Sequence, residues 1–165
     1  MALIETGYIT EEELKASYQY PTKERFNKGP VAIIECIQEI PCNPCEAACV
    51  KEAIIVGEPI TKKPILDDEK CSGCGLCVAQ CPGLAIFIID KTYSDTMATV
   101  AFPYEYTPLP EKGVKVEAVN REGEVVSEGN VVRIQNPKAF DKTPVVTVAV
   151  PKDKVEVVRS IKRLK

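Results

Sequence analysis

The chain has 165 residues, a net charge of −3 and 45% hydrophobic residues, which suits one globular domain or two small ones. No apolar run approaches the roughly 18–20 residues of a membrane-spanning helix, so we expect no membrane span. The acidic start, MALIETGYITEEELKAS, lacks the basic and apolar regions of a signal peptide, and we expect a cytoplasmic protein with reduced thiols. Charge is uneven, because residues 1–110 carry nine Lys/Arg against sixteen Asp/Glu and residues 111–165 carry twelve against eight.

Residues 1–29 are predicted to be an N-terminal docking segment. Thr10 and Glu13 have capping-box spacing and predict a short helix over TEEELKAS. The stretch YPTKERFNKGP interrupts regular structure, and the β-branched run VAIIE that follows predicts a strand. Two further strands are predicted in the cysteine-rich part, KPIL and AIFIID.

Residues 93–165 are predicted to form a β-rich domain with a basic tail. Strands are predicted at ATVAFPYEY, VKVEAV, EVV, NVVRI and PVVTVAV, with turns at NREG, SEGN and NPKAFDKT. Its core is expected to include four valines, Val116, Val132, Val146 and Val148. Because all eight cysteines lie before residue 82, we expect the cysteine-rich part to assemble when residues 108–165 are deleted.

All eight cysteines lie between Cys36 and Cys81, and the chain contains no histidine. The second group, KCSGCGLCVAQCPG, has the spacing C-x2-C-x2-C-x3-C-P. This spacing lets three thiolates wrap one cubane iron–sulfur cluster while the fourth crosses to a neighbouring cluster, and it resembles that of bacterial two-cluster ferredoxins. Interlocked spacing of this kind is not expected of zinc sites. A disulfide framework is typical of proteins in an oxidising compartment.

The first group of cysteines is an imperfect copy of the second. An offset of 32 residues places Cys42, Cys45 and Cys49 over Cys74, Cys77 and Cys81, and predicts two equivalent halves of strand, cysteine loop, short helix and strand. Glu39 stands where the copy requires a cysteine, and Cys36 lies three residues earlier. Two interpretations follow. Either the loop carries an insertion and Cys36 is a ligand, or Cys36 is a buried strand thiol beside a three-iron cluster or one with a non-cysteine ligand.

The crossing rule predicts two [4Fe–4S] clusters. Cluster one takes Cys36, Cys42, Cys45 and Cys81, and cluster two takes Cys49, Cys71, Cys74 and Cys77. The predicted fold is α+β, a ferredoxin-like two-cluster module over residues 30–92 followed by a small antiparallel sheet or barrel.

Other sites are poorly supported by the sequence. The chain has no glycine-rich phosphate loop, and we expect no catalytic site of its own. The basic tail (Arg159, Lys162, Arg163 and Lys165) lacks interleaved aromatic residues, so we expect no nucleic acid, and a protein-docking or solvated tail. Five tyrosines flank the cysteines and are either packed or interface anchors: Tyr8, Tyr18, Tyr20, Tyr104 and Tyr106.

A closer resemblance extends beyond the cysteines. The stretches KGPVAIIECIQEIPCNPCEAAC, KCSGCGLCVAQCPGLAIF and VNREGEVV…NVVRI…DKTPVVTVAVPK…VRSIK resemble the small ferredoxin-type subunit of flavin-dependent proline and hydroxyproline dehydrogenase complexes, over residues 22–163. The resemblance implies FAD-containing dehydrogenase subunits as partners in a hetero-oligomer, an electron-relay role, and Cys36 as a ligand. A free-standing low-potential ferredoxin serving several oxidoreductases is the alternative, and a non-redox metal-binding module is a third hypothesis.

Overall fold

The structure is a computed structural model that describes residues 2–17 and 20–165. Its helices are short: α1 (Ala2–Thr6), α2 (Glu11–Ala16), α3 (Lys23–Phe26), α4 (Pro44–Ala48) and α5 (Leu76–Gln80). Its strands are β1 (Val31–Ile34), β2 (Ile54–Ile55), β3 (Ile65–Leu66), β4 (Ile86–Asp90), β5 (Met97–Pro103), β6 (Lys115–Val119), β7 (Val125–Gln135), β8 (Val145–Pro151) and β9 (Ser160–Ile161). A 3-10 turn, Lys138–Phe140, lies between β7 and β8.

Seven of these strands form one antiparallel sheet in the order β1-β4-β5-β8-β7-β6-β9, and β2 and β3 form a separate ribbon. An antiparallel sheet with few helices agrees with the predicted α+β class. The sheet runs across the predicted boundary at residue 92, since β4 pairs with β5 through Ile88↔Ala101 and its neighbours. The division into 1–29, 30–92 and 93–165 stays a prediction.

The continuity of the sheet argues against the expectation that the cysteine-rich part assembles without residues 108–165. Strand β8 pairs with β5 along its whole length, from Met97↔Pro151 to Pro103↔Val145. Side chains from both regions share one buried cluster, in which Val31 and Ile33 lie with Val146 and Val148. Removing the C-terminal strands would therefore expose apolar side chains of the cysteine-rich part as well as their own.

The N-terminal helix α2 confirms the predicted capping box. The Glu13 backbone N–H donates to Thr10 Oγ1 at 3.2 Å, and the Thr10 backbone N–H donates to Glu13 Oε2 at 3.1 Å. The pair satisfies two of the N–H groups that a helix start leaves without intrahelical partners. The helix then places Leu14 in the main core.

The predicted turn at SEGN is wrong, because the two valines of EVV and all of NVVRI belong to one strand, β7, of eleven residues. Gly129 lies inside the strand, directly against β8, where an added Cβ would approach Val148 Cγ1 to 2.5 Å. Glycine is therefore required by close packing between strands rather than by a turn. The NREG turn is correct, with the Asn120 N–H donating to Glu124 O across it.

Three of the four predicted core valines are buried, and Val132 is only half-buried. The pairing of β7 with β8 shifts between Val131 and Arg133, which leaves Val132 as the extra residue of a β-bulge. A bulge turns the following side chains to the opposite face, so simple alternation misplaces Val132.

No helix among residues 2–17 and 20–165 combines the length and apolar character that crossing a membrane requires.

Replacing Gly129 by alanine tests the close approach of β7 to β8. The new Cβ would meet a fully buried valine, so we expect a loss of about 1–3 kcal/mol in the free energy of unfolding. The exposed neighbour Asn130→Ala is the matched control and should cost far less. Thermal midpoints from circular dichroism measure both, and equal midpoints for the two variants would contradict the packing argument.

Candidate metal centre

The cysteines line two separate cavities. The first is lined by Cys36, Cys42, Cys45 and Cys81, together with apolar residues, Gln38 and Lys62. The second is lined by Cys49, Cys71, Cys74 and Cys77. These are the two sets of four that the crossing rule predicts, so the structure brings together the residues that the sequence grouped. We call them cavity one and cavity two.

The crossing of Cys49 and Cys81 follows from how the short helices end. Each of these residues follows the last turn of a helix, α4 or α5, in extended backbone. The N–H four residues on then donates to the sulfur, from Ala53 to Cys49 Sγ at 3.2 Å and from Ala85 to Cys81 Sγ at 3.4 Å. These N–H groups hold each thiol toward the other half, and such donors also tune the potential of a bound cluster.

The two halves are closely equivalent in their backbone. Glu52 and Leu84, which are 32 residues apart, both have φ of 51°, in the left-handed region. The Glu35 N–H donates to Ala85 O and the Asp67 N–H to Ala53 O, each at 2.8 Å, and the same offset exchanges these two bonds. The internal repeat seen in the sequence is therefore a repeat of structure.

Cys36 lies in the wall of cavity one despite its irregular spacing. It follows β1 by two residues and is half-buried, whereas Glu39, which occupies the position of Cys71 in the repeat, is exposed and does not line the cavity. The longer loop between Cys36 and Cys42 thus places the earlier residue at the cavity. This placement favours the ligand interpretation over a strand thiol buried elsewhere.

The thiols prefer to be protonated without metal. Burial, followed by the neighbouring thiol of Cys81, raises the pKa of Cys45 to about 11. Burial also raises the pKa of Cys36 and of Cys77, with nearby thiols adding to the effect. Thiolates become stable in such places when a metal displaces the protons, as soft sulfur ligands of iron do.

The donor set fits an iron–sulfur cluster. All eight cysteines lie among the described residues and are free thiols. Within residues 2–17 and 20–165, no three Cys, Asp or Glu side chains already converge as they would around a single ion. Four thiols spread around a cavity suit a polynuclear centre, whose own iron and sulfide bridge the distance between ligands. Cys45 and Cys77 belong to one buried cluster, so the two cavities share apolar packing.

Arg25 fastens the N-terminal segment to the second cysteine loop. Its buried guanidinium donates from Nε to Asp68 O and from Nη2 to Cys71 O at 2.5 and 2.6 Å, and also to the carbonyls of Gly29 and Pro30. Gly73, at φ +65°, lies against Pro30, where a Cβ would approach the proline to 2.6 Å. Both contacts hold the backbone of the second cysteine loop in place, and with it the positions of Cys71 and Cys74.

Glu35 precedes Cys36 and joins cavity one to the C-terminal region. Arg121 Nε donates to Glu35 Oε2 at 2.8 Å, and Arg159 Nε donates to Glu35 Oε1 at 2.6 Å. Burial by itself would raise the pKa of Glu35, but the two arginines outweigh it and hold the pKa below its usual value. The carboxylate is therefore ionised and neutralises part of the buried cationic charge.

The prediction of a docking or solvated tail is wrong for Arg159, which is 5% exposed and ion-paired. One of its Nη groups has no hydrogen-bond partner among the described residues, but the guanidinium lies 5.0 Å from the centre of the Phe87 ring. Lys162 pairs with Glu117 on the surface. The tail is thus bonded to the sheet as far as Lys162, whereas Arg163 and Lys165 are exposed.

The tyrosines divide between the two interpretations. Tyr104 is buried in the main core, Tyr20 packs at its edge beside Phe26, and Tyr8 is half-buried and donates to Glu122. Tyr106 is 53% exposed, and Tyr18 lies outside the described residues. Packing accounts for Tyr20 and Tyr104, and the exposed Tyr106 contacts the Tyr104 ring edge-on and the Arg163 guanidinium.

Sequence reasoning missed Arg25, Glu35 and Arg121, and misjudged Arg159. Arg121 and Arg159 are 86 and 124 residues from Glu35 along the chain, so no local pattern connects them. A lone carboxylate at the end of a buried strand, directly before a cysteine, is the one signal that the sequence offered.

Comparison with known proteins agrees with this chemistry. Residues 64–87 match the family model of the 4Fe-4S binding domain, so this part of the chain is a ferredoxin-type 4Fe–4S binding domain. An uncharacterised ferredoxin of Methanocaldococcus jannaschii is 44% identical over 48 residues, which are 29% of this chain and 30% of the relative. No solved structure matches the chain significantly.

Two further relatives are components of larger assemblies. One component of an ion-translocating oxidoreductase complex of Methanosarcina acetivorans is 47% identical over 47 residues, 28% of this chain and 17% of the relative. One component of the Na(+)-translocating ferredoxin:NAD(+) oxidoreductase complex of Acetobacterium woodii is 47% identical over 38 residues, 23% of this chain and 11% of the relative. The matches thus span less than a third of each curated relative.

Glu35→Gln tests how far cavity one depends on the buried charges. The variant leaves Arg159 buried without its counter-charge, which typically costs about 3–5 kcal/mol. We expect loaded protein to lose its visible absorption at clearly lower urea concentration than the wild type. Glu117→Gln, which removes a surface pair with Lys162, is the control and should cost less than about 1 kcal/mol. Equal urea midpoints for the two variants would show that the buried ion pairs of Glu35 stabilise the loaded protein no more than the surface pair of Glu117 does.

Proposed function

We propose that this chain is an electron-transfer subunit that relays electrons through two [4Fe–4S] clusters. The observation that carries the proposal is the pair of cavities, each lined by four cysteines taken from both halves of an internal repeat. The ferredoxin-type domain at residues 64–87 supports the chemistry, and a second cavity of matching composition supports the number of sites. Each bound cluster would supply a one-electron redox step.

In this proposal the cysteines named for each cavity are its ligands, with Cys36 as the fourth ligand of cluster one. The chain itself contributes positioning. Extended backbone at Cys49 and Cys81 directs these thiols across to the opposite cavity, and the N–H groups of Ala53 and Ala85 donate to their sulfurs. Burial of Cys45 and Cys77 keeps water from the space between the two sites.

The wider assignment is a flavin-dependent amino- or imino-acid dehydrogenase complex, in which FAD-containing subunits oxidise the substrate. The resemblance of residues 22–163 to the small subunit of such complexes supports it. Relatives that are components of oxidoreductase complexes support a hetero-oligomer in general. Oxidation of an amine to an imine releases two electrons, and two one-electron centres in a row suit their removal one at a time.

A free-standing low-potential ferredoxin is the second candidate, and the ferredoxin of Methanocaldococcus jannaschii favours it. The two functions differ in what remains bound to the chain, since a free ferredoxin elutes at its own mass of 18.1 kDa.

Metal content and ligand identity are tested together. Protein purified anaerobically from its own host should contain about eight iron and eight sulfide per chain, as two cubane centres require. Cys36→Ala should reduce the iron bound in cavity one and leave cavity two loaded, and Cys74→Ala should do the reverse. Iron analysis and electron paramagnetic resonance of the reduced protein distinguish the two. Stoichiometric zinc without iron would refute the proposal, and an unchanged Cys36→Ala spectrum would remove Cys36 from the ligand set.

The relay is tested with the subunits that stay bound after gentle anaerobic purification. Adding proline or hydroxyproline to that complex should bleach the visible absorption of the clusters, as dithionite does. We expect the complex that contains the Cys74→Ala variant to lose most of this substrate-driven bleaching, while its flavin is still reduced by the substrate. Bleaching by dithionite alone, with no bound flavoprotein, would instead indicate the free-standing ferredoxin.

A further inference from the structure

The internal repeat supplies two β-ribbons that can be compared residue by residue. The 32-residue offset relates the pairing of β1 with β4 to that of β3 with β2. In the first ribbon Ile33 lies opposite Phe87, and in the second Ile65 lies opposite Ile55. Ile33 therefore corresponds to Ile65, and Phe87 corresponds to Ile55.

The first pair is covered by the chain's own extensions. Ile33 is fully buried and Phe87 is 7% exposed. Both belong to the buried cluster that contains Leu14 and Phe26 of the N-terminal segment and valines of the C-terminal strands. The cover consists of apolar side chains contributed by segments outside the repeat.

Among the residues that the structure describes, none covers the second pair in this way. Ile55 is 47% exposed and Ile65 is 50% exposed, although their neighbour Ile54, which faces the cysteines, is buried. The outward face of the ribbon is thus buried in one half of the repeat and exposed in the other half. Exposed apolar side chains that lie side by side, rather than scattered singly, can form the kind of patch that marks an interaction site.

A lysine lies three residues before each strand of this ribbon in the chain, Lys51 before β2 and Lys62 before β3. Lys62 lines cavity one and Lys51 lines cavity two, and neither lining contains a carboxylate. Neither lysine takes part in the salt bridges found within residues 2–17 and 20–165. Glu52 and Glu58 are also exposed nearby in sequence, but they do not line the cavities.

We propose that the outward face of the β2–β3 ribbon, formed by Ile55 and Ile65 with Lys51 and Lys62 beside the cavities, docks another subunit of an oxidoreductase complex. The partner presents apolar side chains to the isoleucines, as the N-terminal segment does to their counterparts, and carboxylates to the lysines. For the existence of a partner, this inference rests on the proposed function.

Charge favours a different protein over a second copy of this chain. Two isoleucines are much smaller than the roughly 800 Å² that each partner buries in a standard interface, so the charged surroundings must take part. A symmetric dimer would bring identical lysine-bearing surfaces together, whereas a partner with carboxylates complements them. The position beside both cavities also places the partner next to the metal sites.

The experiment compares three forms of the tagged full-length chain, expressed in its own host and purified anaerobically. These are the wild type, the double variant Ile55→Ser/Ile65→Ser, and Val125→Ser, whose valine on β7 is 48% exposed. We expect wild type and Val125→Ser to retain the same subunit, identified by mass spectrometry. The double variant should bind that purified subunit at least tenfold more weakly, with unchanged iron content, because its changes lie on the surface.

The lysines are tested by a carbodiimide, which joins amines to carboxylates in direct contact. We expect cross-linked peptides that connect Lys51 or Lys62 to aspartates or glutamates of the bound subunit. The wild-type affinity should fall as salt rises from low to high concentration. The variant Lys51→Gln/Lys62→Gln should show a flatter dependence on salt.

Four results would overturn the inference: a double variant that binds as the wild type does, cross-links that all lie elsewhere, a homodimer that the double variant abolishes, or no subunit bound at low salt. Failure of the proposed function is distinct, since it would appear as missing iron or as absorption that dithionite does not bleach. A bound subunit without flavin that contacts this face would support the inference and refute the flavin-dependent assignment.

Discussion

The ion pairs of one carboxylate, Glu35, connect the two parts of the molecule. The side chain lies at the end of β1, directly before Cys36, and both Arg121 and Arg159 donate to it. Arg159 is almost completely buried, so its charge depends on this partner, and a lone buried cation would cost several kcal/mol. The longer first cysteine loop therefore starts from a fixed point, although it departs from the regular spacing.

The sheet explains why the chain is much longer than its cysteine-rich part. Strands β5 to β9 extend the ribbon of β1 and β4 into a seven-stranded sheet, and α2 and α3 add apolar residues to the same core. The extensions thereby break the symmetry of the repeat, because they bury one ribbon and leave β2 and β3 at the surface. The C-terminal strands thus contribute side chains to the same core as the cysteine-rich part.

Local patterns were predicted well from the sequence, and distant contacts were not. The cysteine spacing gave the two sets that line the cavities, and the capping box at Thr10 gave helix α2, because both depend on residues close together in the chain. SEGN was misjudged because Gly129 serves packing against β8 and has no role in a turn. The contacts of Arg25 with Cys71 and of Arg159 with Glu35 join residues 46 and 124 positions apart, where a single sequence offers no periodicity to detect.

The wide separation of Glu35 and Arg159 also has a consequence during synthesis of the chain on the ribosome. At translation rates of 5–20 residues per second, the 124 residues between them take roughly 6–25 s to appear. For the later part of that interval all eight thiols have been made, while the carboxylate beside Cys36 still lacks Arg159. The Arg25 contact with the second cysteine loop needs only residues up to Cys71 and is available much earlier. The Arg25 contact beside cavity two can therefore form earlier in synthesis than the Glu35–Arg159 pair beside cavity one.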